Sequence, residues 1–253
     1  MKNKLIKLLI PAVLAFSIQS CKKDDNNNNN TQTQNVGPAQ LFSYSDSWGL
    51  LAGVRTVTYQ NVPIIGPQEF IIGTAVTAFP TAAGGTTYQD AGTVQCNTKA
   101  LTKQSNNSYV FQPSQSDASG IDFSSGSDWS VSGAGSIPAF THSFNSFPTS
   151  PTITSNTDEV TLANGYTFSI SGVSNADSIL FILASGSGYV QKRVGGWETS
   201  VTFSASDLSS LQASDYGLIQ VTPYTYQENT TVIPGKKVYF INQVTLSDFA
   251  KFK

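Results

Sequence analysis

Few side chains in this 253-residue chain can do covalent or metal chemistry: one histidine, His142, and two cysteines, Cys21 and Cys96. A Ser-His-Asp triad would need His142 as its base, next to a nucleophile and an orienting carboxylate. The run Ala139-Phe140-Thr141-His142-Ser143-Phe144 instead puts it on one strand face with Phe140 and Phe144, so packing or an ordinary hydrogen bond is expected. No Gly-x-Ser-x-Gly elbow occurs. Zinc needs several Cys or His ligands, which this composition cannot furnish. The acidic loop residues Asp117, Asp122 and Asp128, with Gly120 and Gly126, do not have calcium-loop spacing and read as turn formers. Asp158 and Glu159 are adjacent before a strand and would point to opposite faces, unlike two glycosidase carboxylates that converge on one bond. Gly186-Ser187-Gly188 lacks the rest of either phosphate-loop pattern. Cys96, in the strand-like run Thr93 to Asn97 with only Lys99 as a nearby cation, reads as a small buried hydrophobe. No catalytic residue, metal site or cofactor is expected, and the chain reads as a non-enzyme.

Recognition chemistry is better represented. Aromatic rings stack on the apolar faces of sugars, and neighbouring amides and hydroxyls bond the sugar hydroxyls. Between Tyr216 and Tyr226, alternation puts Ile219 and Val221 on one face and Gln220, Thr222, Tyr224 and Tyr226 on the other. If the first face is core, the second turns Tyr224 and Tyr226 to solvent, with Tyr239 of the next strand as a third candidate ligand-binding ring. The alternative is that these rings cover a sheet face or a contact between domains. By the same alternation Trp197 belongs with Val201 and Phe203, and Trp129 with Val131, at the core or its edge.

Cys21 follows Lys2, Lys4 and Lys7 and an apolar stretch from Leu5 to Ile18, the pattern of a secretory signal peptide over residues 1–20. That stretch is short for a membrane span of about 20 residues. Ile18-Gln19-Ser20-Cys21 resembles a bacterial lipobox, which implies cleavage before Cys21 and acylation of its sulfur. Gln19 departs from the small residue usual at that place. Lys22, Lys23, Asp24 and Asp25 resemble the acidic export signal of Bacteroidetes surface lipoproteins, the alternative being a solvating spacer. Asn26 to Asn30 and the Thr/Gln/Asn run to Asn35 have nothing to bury, so residues 21–37 read as a disordered tether reaching on the order of 25 Å.

Composition narrows the partners. Charged residues make up 12% of the chain, and 33 Ser and 26 Thr replace them. Losing residues 1–20 would leave 11 basic against 16 acidic side chains. A weakly acidic exterior cannot neutralise many phosphates, so nucleic acid is excluded as a partner.

The elements that position these side chains read as strands, five to eight residues long and separated by Gly, Pro, Asn and Ser clusters. The N-terminal half offers Val54 to Val62, Glu69 to Ala78, Thr93 to Asn97, Tyr109 to Gln112, Trp129 to Ser132 and Ala139 to Phe144. Pro148 and Pro151 then interrupt the chain, so a boundary is placed between a β domain over residues 38–147 and a second over 148–253. In the second, Thr152 to Ser155, Tyr166 to Ser171, Ser178 to Ser185, Val190 to Val194, Thr199 to Phe203, Tyr216 to Tyr224 and Lys237 to Leu246 make seven strands, as in an immunoglobulin-like sandwich. Gly195-Gly196 reads as a two-residue hairpin turn, and Asp207 to Leu211 as one helical turn capped by Ser206. The fold class is all-β: two β-sandwich domains, the C-terminal one immunoglobulin-like, after a signal peptide and tether.

Several runs resemble segments of a Bacteroidetes outer-membrane lipoprotein family: Asp90 to Val94, Leu101 to Val110, Asp122 to Gly126, Gly217 to Val221 and Tyr239 to Gln243. Asp177-Ser178-Ile179 resembles the short O-glycosylation motif of such proteins. The resemblance implies a lipid-anchored protein of the outer membrane, facing the cell surface, and brings no activity with it. The expected function is therefore a non-catalytic binding module held to the membrane by its lipid, with a glycan or an envelope protein as ligand. The alternative is a structural or accessory subunit of an outer-membrane complex without a small-ligand site.

Overall fold

The computed structural model describes residues 45–62 and 66–253, and these are all β apart from two 3-10 turns. The expected signal peptide, Cys21, the Lys22 to Asp25 run and the expected tether lie outside the described residues. The strands are β1 (Ser47–Val62), β2 (Gly66–Ala78), β3 (Val94–Cys96), β4 (Lys99–Ala100), β5 (Thr102–Lys103), β6 (Tyr109–Phe111), β7 (Ser127–Val131) and β8 (Phe140–Phe144). They continue with β9 (Thr152–Ile153), β10 (Glu159–Val160), β11 (Tyr166–Ser171), β12 (Ser178–Ser185), β13 (Gly188–Gly195), β14 (Ser200–Phe203), β15 (Ser214–Asn229) and β16 (Lys237–Phe252). Among the described residues no helix is long and apolar enough to cross a membrane.

One nine-stranded sheet, in the order β13-β12-β15-β16-β1-β2-β6-β5 with β10 beside the end of β16, runs the length of the body. Its inner face is covered at one end by β4-β3-β7-β8 and at the other by β14-β11-β9. The second arrangement is an immunoglobulin-like sandwich: β9, β11 and β14 face β13, β12, β15 and β16, and β10 joins the last strand in parallel. Ile179, Phe181, Leu183, Ile219 and Val221 fill it from the long sheet, and Phe168, Ile170 and Phe203 from the short one. Leu51, Phe79, Trp129, Val131 and Phe240 belong to the other cluster, and Cys96 is buried in it as a free thiol.

The expected boundary at 147/148 marks the change of covering sheet and of core, but not a break in the long sheet. The described residues form one compact unit, in which β1 pairs in parallel with β16 from Ser47↔Lys237 to Val57↔Leu246. The last hairpin makes this possible. Alternation ends the final two strands at Tyr224 and Leu246, yet they run on as 16-residue strands. One end of β16 supplies Val238 and Phe240 to the first core, and the other supplies Val244, Leu246, Ala250 and Phe252 to the second.

At the crossing point sits Asn242, opposite Gly53 and fully buried. Its Nδ2 donates to the carbonyls of Phe144 (2.9 Å) and Ser146 (2.8 Å), and its Oδ1 accepts from Ser127 Oγ (2.8 Å). Phe144 ends β8 and Ser146 lies just beyond it, where the chain leaves one covering sheet for the other, and the buried amide donates to both carbonyls.

Two local expectations change. Gly195-Gly196 is not a hairpin turn: β13 pairs with β12 and β14 with β11, so these residues carry the chain between sheets. Gly196 is required by close approach, since a Cβ there would lie 1.8 Å from the Ala176 carbonyl oxygen. The true hairpin turn is Gly186-Ser187, with Gly186 at φ +60°. Ser206 makes no side-chain cap bond to the 3-10 turn Asp207–Ser210. The bonds come from Ser204, whose N–H donates to Asp207 Oδ2 (2.8 Å) and whose Oγ accepts from the Asp207 N–H (3.2 Å).

Asn242→Ala should leave the Ser146 carbonyl without its donor and the Ser127 hydroxyl with only its long approach to the Phe144 carbonyl (3.5 Å), at a cost on the order of 2 kcal/mol in urea unfolding. A loss below about 1 kcal/mol would mean that water takes over these bonds.

Candidate functional site

The register fixes where the three candidate tyrosines stand. Tyr224 is opposite Ser178 on β12 and Gln243 on β16, Tyr226 is opposite Ile241, and Tyr239 is opposite Glu228. Strands lie about 4.8 Å apart, so Gly195, Ser178, Tyr224 and Gln243 form a row across the outer face of the long sheet. The structure brings the three rings to one face as alternation requires, but only Tyr226 is exposed, at 41%; Tyr224 (2%) and Tyr239 (4%) are buried. Alternation reports which face a residue takes and says nothing of how crowded that face is. Thr222 and Ile241, on this face, are closed off completely.

Tyr239 is a framework residue. Its hydroxyl donates to Asp46 Oδ1 (2.9 Å) and faces Glu228 Oε2 at 3.3 Å, and Lys237 Nζ bridges the same two carboxylates at 3.0 and 3.1 Å. Burial, then the bond to Asp46, pushes the phenol up to about 12. Lys237 and Tyr239 hold the Asp46 carboxyl below its ordinary range. Tyr226 lies beside this network, its ring centre 6.2 Å from that of Tyr239.

A shallow depression of about 340 Å³ opens here, lined by Ser178, Arg193, Val194, Gly195, Tyr224 and Tyr226. Asp177 fixes its rim: its Oδ2 accepts from Thr225 Oγ1 (2.8 Å) and from the Tyr226 N–H (2.9 Å), and its own N–H donates to the Tyr224 carbonyl (2.9 Å). Ser178, the serine of the motif that resembles an O-glycosylation site, is half-buried in mid-sheet.

Trp197 lies against Gly195, a lining residue of the depression, and departs from the expectation that it sits at the core or its edge. It is 81% exposed, and its indole lies over Gly195, where a Cβ would meet ring atoms at 2.8 to 2.9 Å. Residues 196 and 197 form a turn, closed by the Glu198 N–H on the Gly195 carbonyl (3.1 Å), so the period of two that ties Val201 to Phe203 does not extend back to it. Gly-Gly before a tryptophan was the signal available: glycines leave a flat floor on which a ring can lie. Trp129, by contrast, is core at 1%.

The residues with catalytic side chains are engaged elsewhere. His142 stacks on Phe240 with ring centres 3.7 Å apart, and its Nε2 sits 3.1 Å from Gln227 Oε1. Burial raises the Cys96 thiol far above its ordinary value. Asp122 Oδ1 accepts from the Ser124 N–H at 2.8 Å, the turn role expected of it, whereas the Asp117 carboxylate pairs with Lys99 at 2.6 Å and Asp128 lies within β7 rather than in a turn. Among the described residues no group of three or more His, Cys, Asp or Glu is placed to hold a metal ion.

No protein-family model matches this chain, and no curated protein matches it. Among solved structures it is similar to a chain from work titled "Structural insight into host cell surface retention of a 1.5-MDa bacterial ice-binding adhesin", at 13% identity and a TM-score of 0.27, covering 80% of this chain and 66% of that one. A second similarity is to "Ca2+-stabilized adhesin helps an Antarctic bacterium reach out and bind ice", at 14% identity and a TM-score of 0.24, covering 80% of this chain and 50% of that one. This chain thus spans just under two thirds of the first structure and half of the second. Scores of this size reflect strand-rich chains and fall short of a shared fold.

The pKa of His142 is lowered from its ordinary 6.5, by burial first and against the opposing bond to Gln227. The unfolded chain therefore takes up this proton first, and stability present above pH 6.5 should decline as pH falls through that value toward the lower folded pKa. As the one histidine in the chain, its ring proton resonance reads this directly, and His142→Gln should flatten unfolding midpoints between pH 7.5 and 5. A resonance titrating above 6.5 would contradict it.

Proposed function

We propose that the protein is a lipid-anchored envelope protein whose β body is a non-catalytic binding module, with a glycan as its ligand at the depression beside Tyr226. The observation that carries this reading is the pairing of an exposed indole, Trp197 over Gly195, with the half-exposed ring of Tyr226 around Ser178 and Arg193. Two rings supply flat apolar area at small conformational cost, and a hydroxyl and a guanidinium beside them can bond sugar hydroxyls. Both rings are set by β-sheet backbone or a glycine-floored turn, so little ordering remains for binding.

A second reading, an accessory subunit of an envelope assembly, draws on a different patch. Phe249, opposite Leu218, is 62% exposed, and Tyr216, two residues before Leu218, is 81% exposed. Apolar rings bared together suit a protein partner. This patch lies ten residues along β15 from Tyr226, roughly 33 Å at strand rise, so variants at one site leave the other intact.

On a glycan array, Trp197→Ala and Tyr226→Ala should each weaken binding at least tenfold with little change in unfolding midpoint. If no glycan is bound by the unaltered protein, the reading fails. For anchoring at Cys21, Cys21→Ala should move the protein from the membrane fraction to the soluble fraction. Retention in the membrane would refute acylation as the anchor.

A further inference from the structure

A second concavity lies on the opposite face of the long sheet, at the seam between the two covering sheets. It has a volume of about 520 Å³, and Arg55, Phe123, Phe147, Asn145, Thr149 and Asn175 are among its lining residues. Arg55 points to the inner face from β1, two residues past Gly53, where the first core ends, and two before Val57, where the second begins. Phe147 packs against both cores, its ring centre 5.0 Å from that of Phe123, and the Arg55 guanidinium sits 5.9 Å from the Phe147 ring centre.

Arg55 differs from six of the lysines in the described body. Lys99, Lys103, Lys192, Lys237, Lys251 and Lys253 each hold a carboxylate. No carboxylate among the described residues lies within ion-pair distance of Arg55. Asp122 is near enough for the guanidinium to lower its pKa slightly, but the bonds from Ser124 come first. A half-buried guanidinium has given up water, and its planar fork of donors is shaped for a carboxylate.

Both walls are fixed in advance. Asn97 Nδ2 donates to the carbonyls of Asp122 (2.6 Å) and Gly126 (2.9 Å) and thereby holds the loop that carries Phe123. Across the seam, Thr149 Oγ1 donates to the Gly172 carbonyl (2.5 Å) and accepts from the Ser174 N–H (2.8 Å), next to Asn175.

From this arrangement we infer that the seam cleft is a binding site for an acidic sugar, with the carboxylate on Arg55, the ring face on Phe147, and hydroxyls on the amides of Asn145 and Asn175. An apolar wall beside one fork-shaped cation and neutral polar groups distinguishes this ligand from a bare anion, which would gain nothing from the phenyl ring, and from a neutral sugar, which would leave the charge unmet. The inference extends the glycan reading to a separate site and does not depend on Trp197 or Tyr226.

The experiment is calorimetric titration of the full-length protein with trigalacturonate and with its fully methyl-esterified form. The acid should bind at least tenfold more tightly than the ester, and Arg55→Gln should abolish the difference. Arg55→Lys should keep a part of it, since the charge remains and the fork is lost. Asn175→Asp sits at the exposed rim and adds a repelling charge without touching either core, so it should weaken the acid at least tenfold even if Arg55→Gln unfolds. Trp197→Ala and Tyr226→Ala should leave acid binding unchanged; loss in those variants would place the acid at the other site and overturn the inference. So would equal affinity for acid and ester, no binding of the acid at millimolar concentration, or equally tight binding of inorganic sulfate.

Discussion

The body depends on a seam that must be polar in the middle of an apolar surface. One long sheet is covered by two shorter ones, and where the covers meet the chain crosses between them through residues 144–151. The Phe144 and Ser146 carbonyls, where that crossing begins, need donors. Asn242 meets them from beneath, and Ser127 saturates its remaining oxygen. Because the amide belongs to β16, the strand that also carries Phe240 on one side and Val244 on the other, the two cores are held in one register. A hydrophobic residue at this position would pack well enough and leave the crossing unsatisfied.

Both candidate recognition sites follow from the same geometry. The last hairpin, extended beyond the immunoglobulin-like sandwich, carries Tyr226 and Tyr239 past Ser178 and Gly195 on the outer face. On the inner face, the gap between the covers leaves room above Arg55, the cation that β1 places there. Strands present Tyr226, Ser178, Arg193 and Arg55, while the segments between strands present Trp197, Phe147, Asn145 and Asn175. Such sites lose little freedom on binding, as the proposed binding role requires.

Charge is used sparingly and locally. The lysines of the described body sit in ion pairs or, for Lys236, over the face of Trp48 at 4.0 Å. Asp90, Asp207 and Glu159 have lowered pKa values through bonds to Lys103, Lys192 and Lys253 respectively. Exposed pairs of this kind add little stability and mainly fix loop ends. Ser and Thr take over the surface, as the exposed Thr167–Thr202 pair illustrates.

The all-β class, the strands from Tyr166 to Ser171 and Ser178 to Ser185, the burial of Trp129 and Cys96, and the packing role of His142 were all legible in the amino-acid order. Each follows from period-two alternation or from a side chain's own chemistry, both of which are local. The tyrosine face was legible too, but the burial of Tyr224 and Tyr239 was not, because crowding on a face depends on residues distant in the chain. Trp197 escaped because alternation stops at a turn. The pairing of β1 with β16 joins residues nearly two hundred positions apart, and nothing in either run names its partner. Only the tertiary structure decided that two apparent sandwiches share one sheet, that Asn242 lies beneath their seam and that Arg55 faces a cleft: long-range register brings those groups together, and it is set by the whole fold at once.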